Sequence, residues 1–101
     1  NDADYMRGYV EEVQKAREYF TRSLNEEFSR VLFAYESRGN FVLVKCRMTG
    51  LREKIIAGLE ERNIFVRTVS QSSSLRECFR VTIGTRGQMR RVLEALREIM
   101  A

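Results

Sequence analysis

The residues that could do chemistry in this chain are few, and two arginines stand out. Arg67 and Arg80 each lie within a run of otherwise apolar and β-branched residues. An arginine in such a run costs desolvation unless it meets an anion or reaches solvent. Its planar guanidinium offers a fork of donors that fits a carboxylate or phosphate with two parallel bonds. One reading is therefore an anion-recognition site for a substrate, if the two segments pair as a hairpin. The other is an exposed sheet face or a salt bridge to Glu36, Glu53 or Glu77, and spacing alone favours it. Other groups offer less. Ser72-Ser73-Ser74 lacks a base, because the sequence has no histidine. The only lysines, Lys15, Lys45 and Lys54, have ordinary helical or strand-end places. Gly84-Thr85-Arg86-Gly87 has the Gly-x-x-Gly spacing of a KH loop, which clamps nucleic-acid backbone. That loop joins two helices and is followed by an isoleucine where Arg90 stands here, so a strand-to-helix turn is the better reading.

Composition narrows the classes further. With 101 residues there is room for one domain, in which about 65% of the extended chain's surface can be buried. Hydrophobic residues make up 44% and charged residues 32%, a balance that supports a folded core. No apolar run approaches the roughly 20 residues that span a bilayer. The start, Asn1-Asp2-Ala3-Asp4, has neither the basic nor the apolar region of a signal peptide. Lacking histidine, the chain has no histidine acid/base pair and no histidine metal ligand. Cys46 and Cys78 are far apart and make no zinc pattern alone; each sits in an apolar run, as buried thiols in a reducing cytoplasm do. The net charge of +4 comes from basic residues scattered between Arg7 and Arg97 without a run, which argues against a nucleic-acid partner.

The elements that must position the two arginines are legible as periodicity. Residues 3–27 predict a long helix with a stripe of Tyr5, Tyr9, Val13, Ala16, Phe20 and Leu24, widened by Met6 and Val10 and capped by Asp2 or Asp4. A helix of that length cannot bury itself fully in so small a chain, so part of its stripe should face something outside it. Residues 31–35 predict a strand, Ser37-Arg38-Gly39 a turn, and Phe41-Val42-Leu43-Val44 a central strand covered on both faces, ending near Lys45-Cys46-Arg47. Thr49 should cap a second helix with Leu51, Ile55, Ile56 and Leu59 inward, stopped by Asn63 in the left-handed region. Residues 64–69 and 78–83 predict two more strands. The second of these sets Phe79, Val81 and Ile83 on one face and Cys78, Arg80 and Thr82 on the other. Ser70-Gln71-Ser72-Ser73-Ser74 reads as the loop between them. Thr85 and Gln88 stand at capping-box spacing before a last helix with Met89, Val92, Leu93, Leu96, Ile99 and Met100 inward. The order α-β-β-α-β-β-α suits a two-layer α+β domain, with helices packed on a small, mostly antiparallel sheet.

Three segments together resemble the C-terminal small domain of histidinol-phosphate aminotransferases, which are fold-type I, pyridoxal phosphate (PLP) enzymes. They are Ser37-Arg38-Gly39-Asn40-Phe41-Val42-Leu43-Val44, Asn63-Ile64-Phe65-Val66-Arg67 and Cys78-Phe79-Arg80-Val81-Thr82-Ile83-Gly84-Thr85. The long first helix and the closing helix also fit, so the resemblance covers essentially the whole chain. It implies that Arg80 binds the anionic end of the substrate, a glutamate carboxylate or a histidinol-phosphate phosphate, and this reverses the reading of Arg80. It implies a second anion contact for Arg67, which stays open between its two readings, and a cleft-shaping role for Asn40. The family usually carries an acidic residue where Thr68 stands and an acidic pair where Arg86-Gly87 stands. Threonine-phosphate decarboxylases and other amino-acid aminotransferases share much of the pattern.

The resemblance further implies a cytoplasmic enzyme of histidine biosynthesis, homodimeric, with PLP held by a large domain. The Schiff-base lysine, the aspartate on the pyridine nitrogen and the phosphate-binding groups of that domain have no counterpart here. The chain alone should neither bind PLP nor turn over. It is either part of a larger enzyme or an independent domain that has lost catalysis. Its partners would be the large domain and a small anionic substrate, with no nucleic acid and no membrane. The alternative is a stand-alone α+β module for a small anionic ligand or a partner protein. A nucleic-acid module is a distant third.

Overall fold

A computed structural model describes residues 2–36, 39–69 and 77–101. The elements are α1 (Asp2–Phe28), β1 (Leu32–Ala34), β2 (Phe41–Cys46), α2 (Leu51–Glu61), β3 (Arg67–Val69), β4 (Cys78–Thr82) and α3 (Arg86–Met100). The four strands form one antiparallel sheet in the order β1-β2-β4-β3. The fold is the expected two-layer α+β arrangement, with the helices on one face.

Strand alternation decides where the core lies. Val42 stands opposite Val81, and Val44 opposite Phe79. All four are buried, as are Leu32 and Ala34 on β1. Against this face α1 lays Ala16, Phe20, Leu24 and Phe28, α2 lays Ile55 and Leu59, and α3 lays Met89, Val92, Leu93 and Leu96. The 3.6-residue period of each helix brings these side chains into one stripe. Val13, Leu51, Ile56, Ile99 and Met100 pack at its margins, half-buried. The side chains of Tyr5, Met6, Tyr9 and Val10, the capping groups of Asp2 and Asp4, the turn residues Ser37 and Arg38, and the 70–74 loop lie outside what is described.

Local signals end the elements largely as expected. Gly39 has φ 97° and Asn63 φ 61°, both in the left-handed region. The Thr85 hydroxyl accepts from Gln88 N at 3.1 Å, while Gln88 Oε1 accepts from Thr85 N at 2.8 Å. A side chain at Gly84 would strike that same Gln88 amide, so glycine is the residue that fits before the box.

Three expectations need correction. Thr49 does not cap α2: the capping position is Gly50, at φ 85°, without a side-chain bond. The third strand begins at Arg67, not at residue 64. Ile64 N donates instead to Leu59 O at 2.8 Å, closing the end of α2, and Ile64 and Val66 pack against the core without joining the ladder. β2 is central, but within the described residues it is covered on one face only. Phe41 and Lys45 are exposed and Leu43 is half-buried.

The outer edge of β1 is closed by a side chain. Asn25 on α1 donates from Nδ2 to Ala34 O at 3.0 Å and accepts from Ala34 N at Oδ1 at 2.7 Å. Its amide thus satisfies both backbone groups that an edge residue leaves open. Replacing Asn25 by Ala removes both bonds and leaves the backbone groups of buried Ala34 unpaired. Urea denaturation should show a loss of about 1–3 kcal/mol, and an unchanged midpoint would contradict the pairing.

Cys46 and Cys78 are free and buried. Burial first, and the Glu77 carboxylate second, push the Cys46 thiol up from 9.0 to about 12. Burial also raises Cys78. The folded chain therefore keeps a Cys46 proton that the unfolded chain releases near pH 9. Its stabilising contribution is full below about pH 9 and is lost as pH climbs toward about 12. The decline in denaturation free energy over that window should be shallower in Cys46→Ala than in the parent. Parallel declines would refute this account.

Candidate functional site

The β3–β4 ladder places Arg67 directly opposite Arg80. Leu43 is the partner of Arg80 on its other side. Tyr35 N donates to Leu43 O at 3.0 Å, extending the same row across β1. Tyr35, Leu43, Arg80 and Arg67 therefore cross the sheet in line, on the face away from the helices. Neighbouring rows of this face carry Phe33, Lys45 and Cys78, and then Phe41 and Thr82. Among the strand positions of this face there is no carboxylate. Phe33, Tyr35 and Phe41 are each more than a third exposed.

Two guanidinium groups on directly opposed residues repel each other, and cross-strand pairs of like charge destabilise a sheet. No described residue relieves them with an ion pair. The ion pairs are Arg52–Glu53, Arg62–Glu98 and Arg97–Glu27. The three acids that a bland reading of Arg67 and Arg80 would enlist are placed elsewhere. Glu53 is held by Arg52, whose guanidinium draws its carboxyl below the usual range. Glu36 faces a shallow concavity against α1 with Arg17, Glu18 and Arg22. Glu77 has one carboxylate oxygen buried without a hydrogen-bond partner among the described residues.

Arg80 instead lies over an aromatic ring. Its Cζ is 5.2 Å from the centroid of Phe41, the diagonal neighbour on β2. Arg47 does the same with Phe33, at 5.6 Å. The edge of Phe33 meets Tyr35, with centroids 5.1 Å apart and planes at 85°. Aromatic rings and cations thus recur across this face, around Leu43 and Thr82.

Of the three site residues expected from the sequence, the fold brings Arg67 and Arg80 together. Asn40 does not join their row. It precedes β2, and its carbonyl accepts from Ile83 N at 2.7 Å, fastening the start of β2 to the end of β4. Phe41 was not singled out from sequence as part of a site. The signal available was its place beside Asn40 in the second strand, but its pairing with Arg80 depends on a register that spacing does not reveal. The lysines stand apart, Lys15 on α1, Lys45 on β2 and Lys54 on α2, all exposed. No helix among the described residues is long and apolar enough to cross a membrane.

The chain is thus a two-layer α+β domain that buries one sheet face against its helices and presents paired arginines on the other. The comparisons name the family. The model for aminotransferases of class I and II matches residues 1–96, and the chain belongs to that family. Among curated relatives, a histidinol-phosphate aminotransferase of Escherichia coli O81 (strain ED1a) is 32% identical over 92 residues, which are 91% of this chain and 25% of that protein. One from Haemophilus influenzae (strain PittEE) is 28% identical over 94 residues, 93% of this chain and 26% of the relative. A decarboxylase from Sulfurospirillum multivorans has a TM-score of 0.73 at 27% identity, over 86% of this chain and 25% of the other. The histidinol-phosphate aminotransferase from Sinorhizobium meliloti, solved with pyridoxal-5'-phosphate, shares the fold at a TM-score of 0.83 and 24% identity, over 97% of this chain and 26% of that one. The chain spans about a quarter of the length of these relatives.

The opposed arginines make a stability prediction. Arg67→Thr removes the repulsion and leaves a good strand former. It should stabilise the ligand-free chain by up to about 0.5 kcal/mol at low salt, a gain that shrinks as salt screens the charges. A loss of stability in thermal melts at low salt would mean that the two side chains do not face each other.

Proposed function

We propose that this chain is the C-terminal small domain of a PLP-dependent aminotransferase of the histidinol-phosphate type, and that its open sheet face receives the anionic end of the substrate. The observation that carries the reading is the juxtaposition of Arg67 and Arg80 on a face whose described strand positions carry no acid. An anion between two guanidinium groups relieves their repulsion and accepts charge-assisted bonds from both forks. Relief of repulsion adds to the attraction, so the site favours a carboxylate or phosphate over a neutral group. Arg80, half-buried in a central strand, supplies the fixed contact. Arg67, exposed on the edge strand β3, supplies the second. Asn40 holds the β2–β4 end in place through its carbonyl and shapes the rim.

The same face offers Phe33, Tyr35, Phe41 and Leu43 as apolar area for a covering domain. In this reading that domain holds PLP, which stabilises the carbanion formed during amino transfer. On this reading the chain contributes substrate recognition and closure, and the covering domain the chemical step. The matched relatives are named for an aminotransferase acting on histidinol phosphate, which supports an amino-transfer role in histidine synthesis. The reading carries with it a homodimeric parent enzyme in the cytoplasm, where the two free thiols stay reduced.

Arg80→Ala in the full-length enzyme should cut transamination by about two orders of magnitude, as loss of a charge partner for the substrate does. Steady-state assays with glutamate as amino donor measure it. Near-normal turnover would remove Arg80 from the site and with it the main support for the assignment.

A further inference from the structure

Arg80 has a problem that an ordinary binding arginine solves with an acid. Its long side chain carries about 2 kcal/mol of rotamer entropy, and Arg67 pushes on it from the opposite residue. A carboxylate partner would hold it in place, but would also occupy the N–H donors that a substrate anion needs. The structure holds it differently. Phe41 is the diagonal neighbour of Arg80 on the open face, paired with Thr82 while Arg80 is paired with Leu43. Its ring lies 5.2 Å from the Arg80 Cζ. A ring against which the guanidinium lies flat engages its face, whereas hydrogen bonds to an anion lie in its plane. The stack can therefore restrain the group while leaving its donors free.

We infer that Phe41 is a positioning residue for Arg80, which it holds ready to receive an anion by stacking on the guanidinium without taking up its donors. This rests on the reading of Arg80 as the substrate's charge partner. The inference is particular to this pair. The other arginine near this face with an aromatic neighbour among the described residues, Arg47, is exposed just beyond the end of β2. Arg67, across the ladder, has no aromatic ring within stacking distance among the described residues. Only Arg80 combines partial burial, a central strand and a ring beneath it. Phe41 itself is 37% exposed, so it is not retained for filling the core. Leucine could supply the same apolar area but has no π face.

The test is a mutant cycle in the full-length, cofactor-loaded enzyme, with L-glutamate as the substrate. Phe41→Leu should raise KM about fivefold to tenfold, in line with loss of a partly desolvated cation–π contact, and leave kcat within about twofold. Phe41→Tyr, which keeps the ring, should restore KM. In an Arg80→Ala background, Phe41→Leu should change KM by less than about twofold, because its target is gone. In ¹⁵N-arginine-labelled enzyme, the ring current should displace the Arg80 Nε–H resonance from the positions of exposed arginines, and Phe41→Leu should abolish the displacement. If Phe41→Leu lowers the melting temperature too far for assay, Phe41→Met replaces it. A normal KM in Phe41→Leu, or an equal rise in the Arg80→Ala background, overturns the positioning role alone. Normal kinetics in Arg80→Ala would overturn the underlying reading as well.

Discussion

The register between β2 and β4 is the constraint on which the remaining structure depends. Val42 opposite Val81 and Val44 opposite Phe79 place these four large apolar residues of the two central strands toward the helices. The same register sends Phe41, Leu43, Lys45, Arg80 and Thr82 to the other side. Side chains alternate with a period of two, so a slip of one residue would bury Arg80 and expose Phe79. The cost of such a slip is far larger than the repulsion between Arg67 and Arg80. The core thus holds two like charges face to face that would separate if the sheet were free to choose.

This inverts the usual relation between a binding site and its scaffold. The face is not a preformed pocket, and the concavity that Glu36 shares with α1 lies elsewhere. In the proposed function it is one wall with its charges already set, the opposing wall coming from a covering domain. The aromatic residues would then serve both purposes, as apolar area for that domain to bury and as rings that orient cations without neutralising them.

Much of this was legible in the sequence. The capping box at Thr85 and Gln88, the left-handed Asn63 and Gly39, and the inward stripes of α2 and α3 are local devices, decided by residues within a few positions of one another. The face assignment of Arg80 was also legible, because alternation inside 78–83 is local. What failed was decided at longer range or by backbone geometry that composition does not reveal. The apolar run at 64–66 reads as strand, yet Ile64 is taken by the end of α2 before the ladder can claim it. Thr49 reads as a cap, yet the chain enters α2 through a left-handed Gly50, which leaves the hydroxyl without a role. The continuous apolar run of β2 reads as doubly covered, because hydrophobicity records that a residue avoids water and not which element shields it. That Arg67 meets Arg80 is a matter of register between separate strands, and the stacking of Phe41 follows from that register. Neither is written in spacing.

The amide of Asn25 does the work of a fifth strand in a single residue. By filling the hydrogen-bonding positions of Ala34, it makes the sheet one-sided in its capacity to grow. A stray extended peptide finds the Ala34 groups of the β1 margin already taken, while β3, short and fronted by a cation, presents the opposite margin. Any recruitment of additional strands, whether productive assembly or the first step toward a fibril, is thereby biased in direction. A helix side chain sets that polarity.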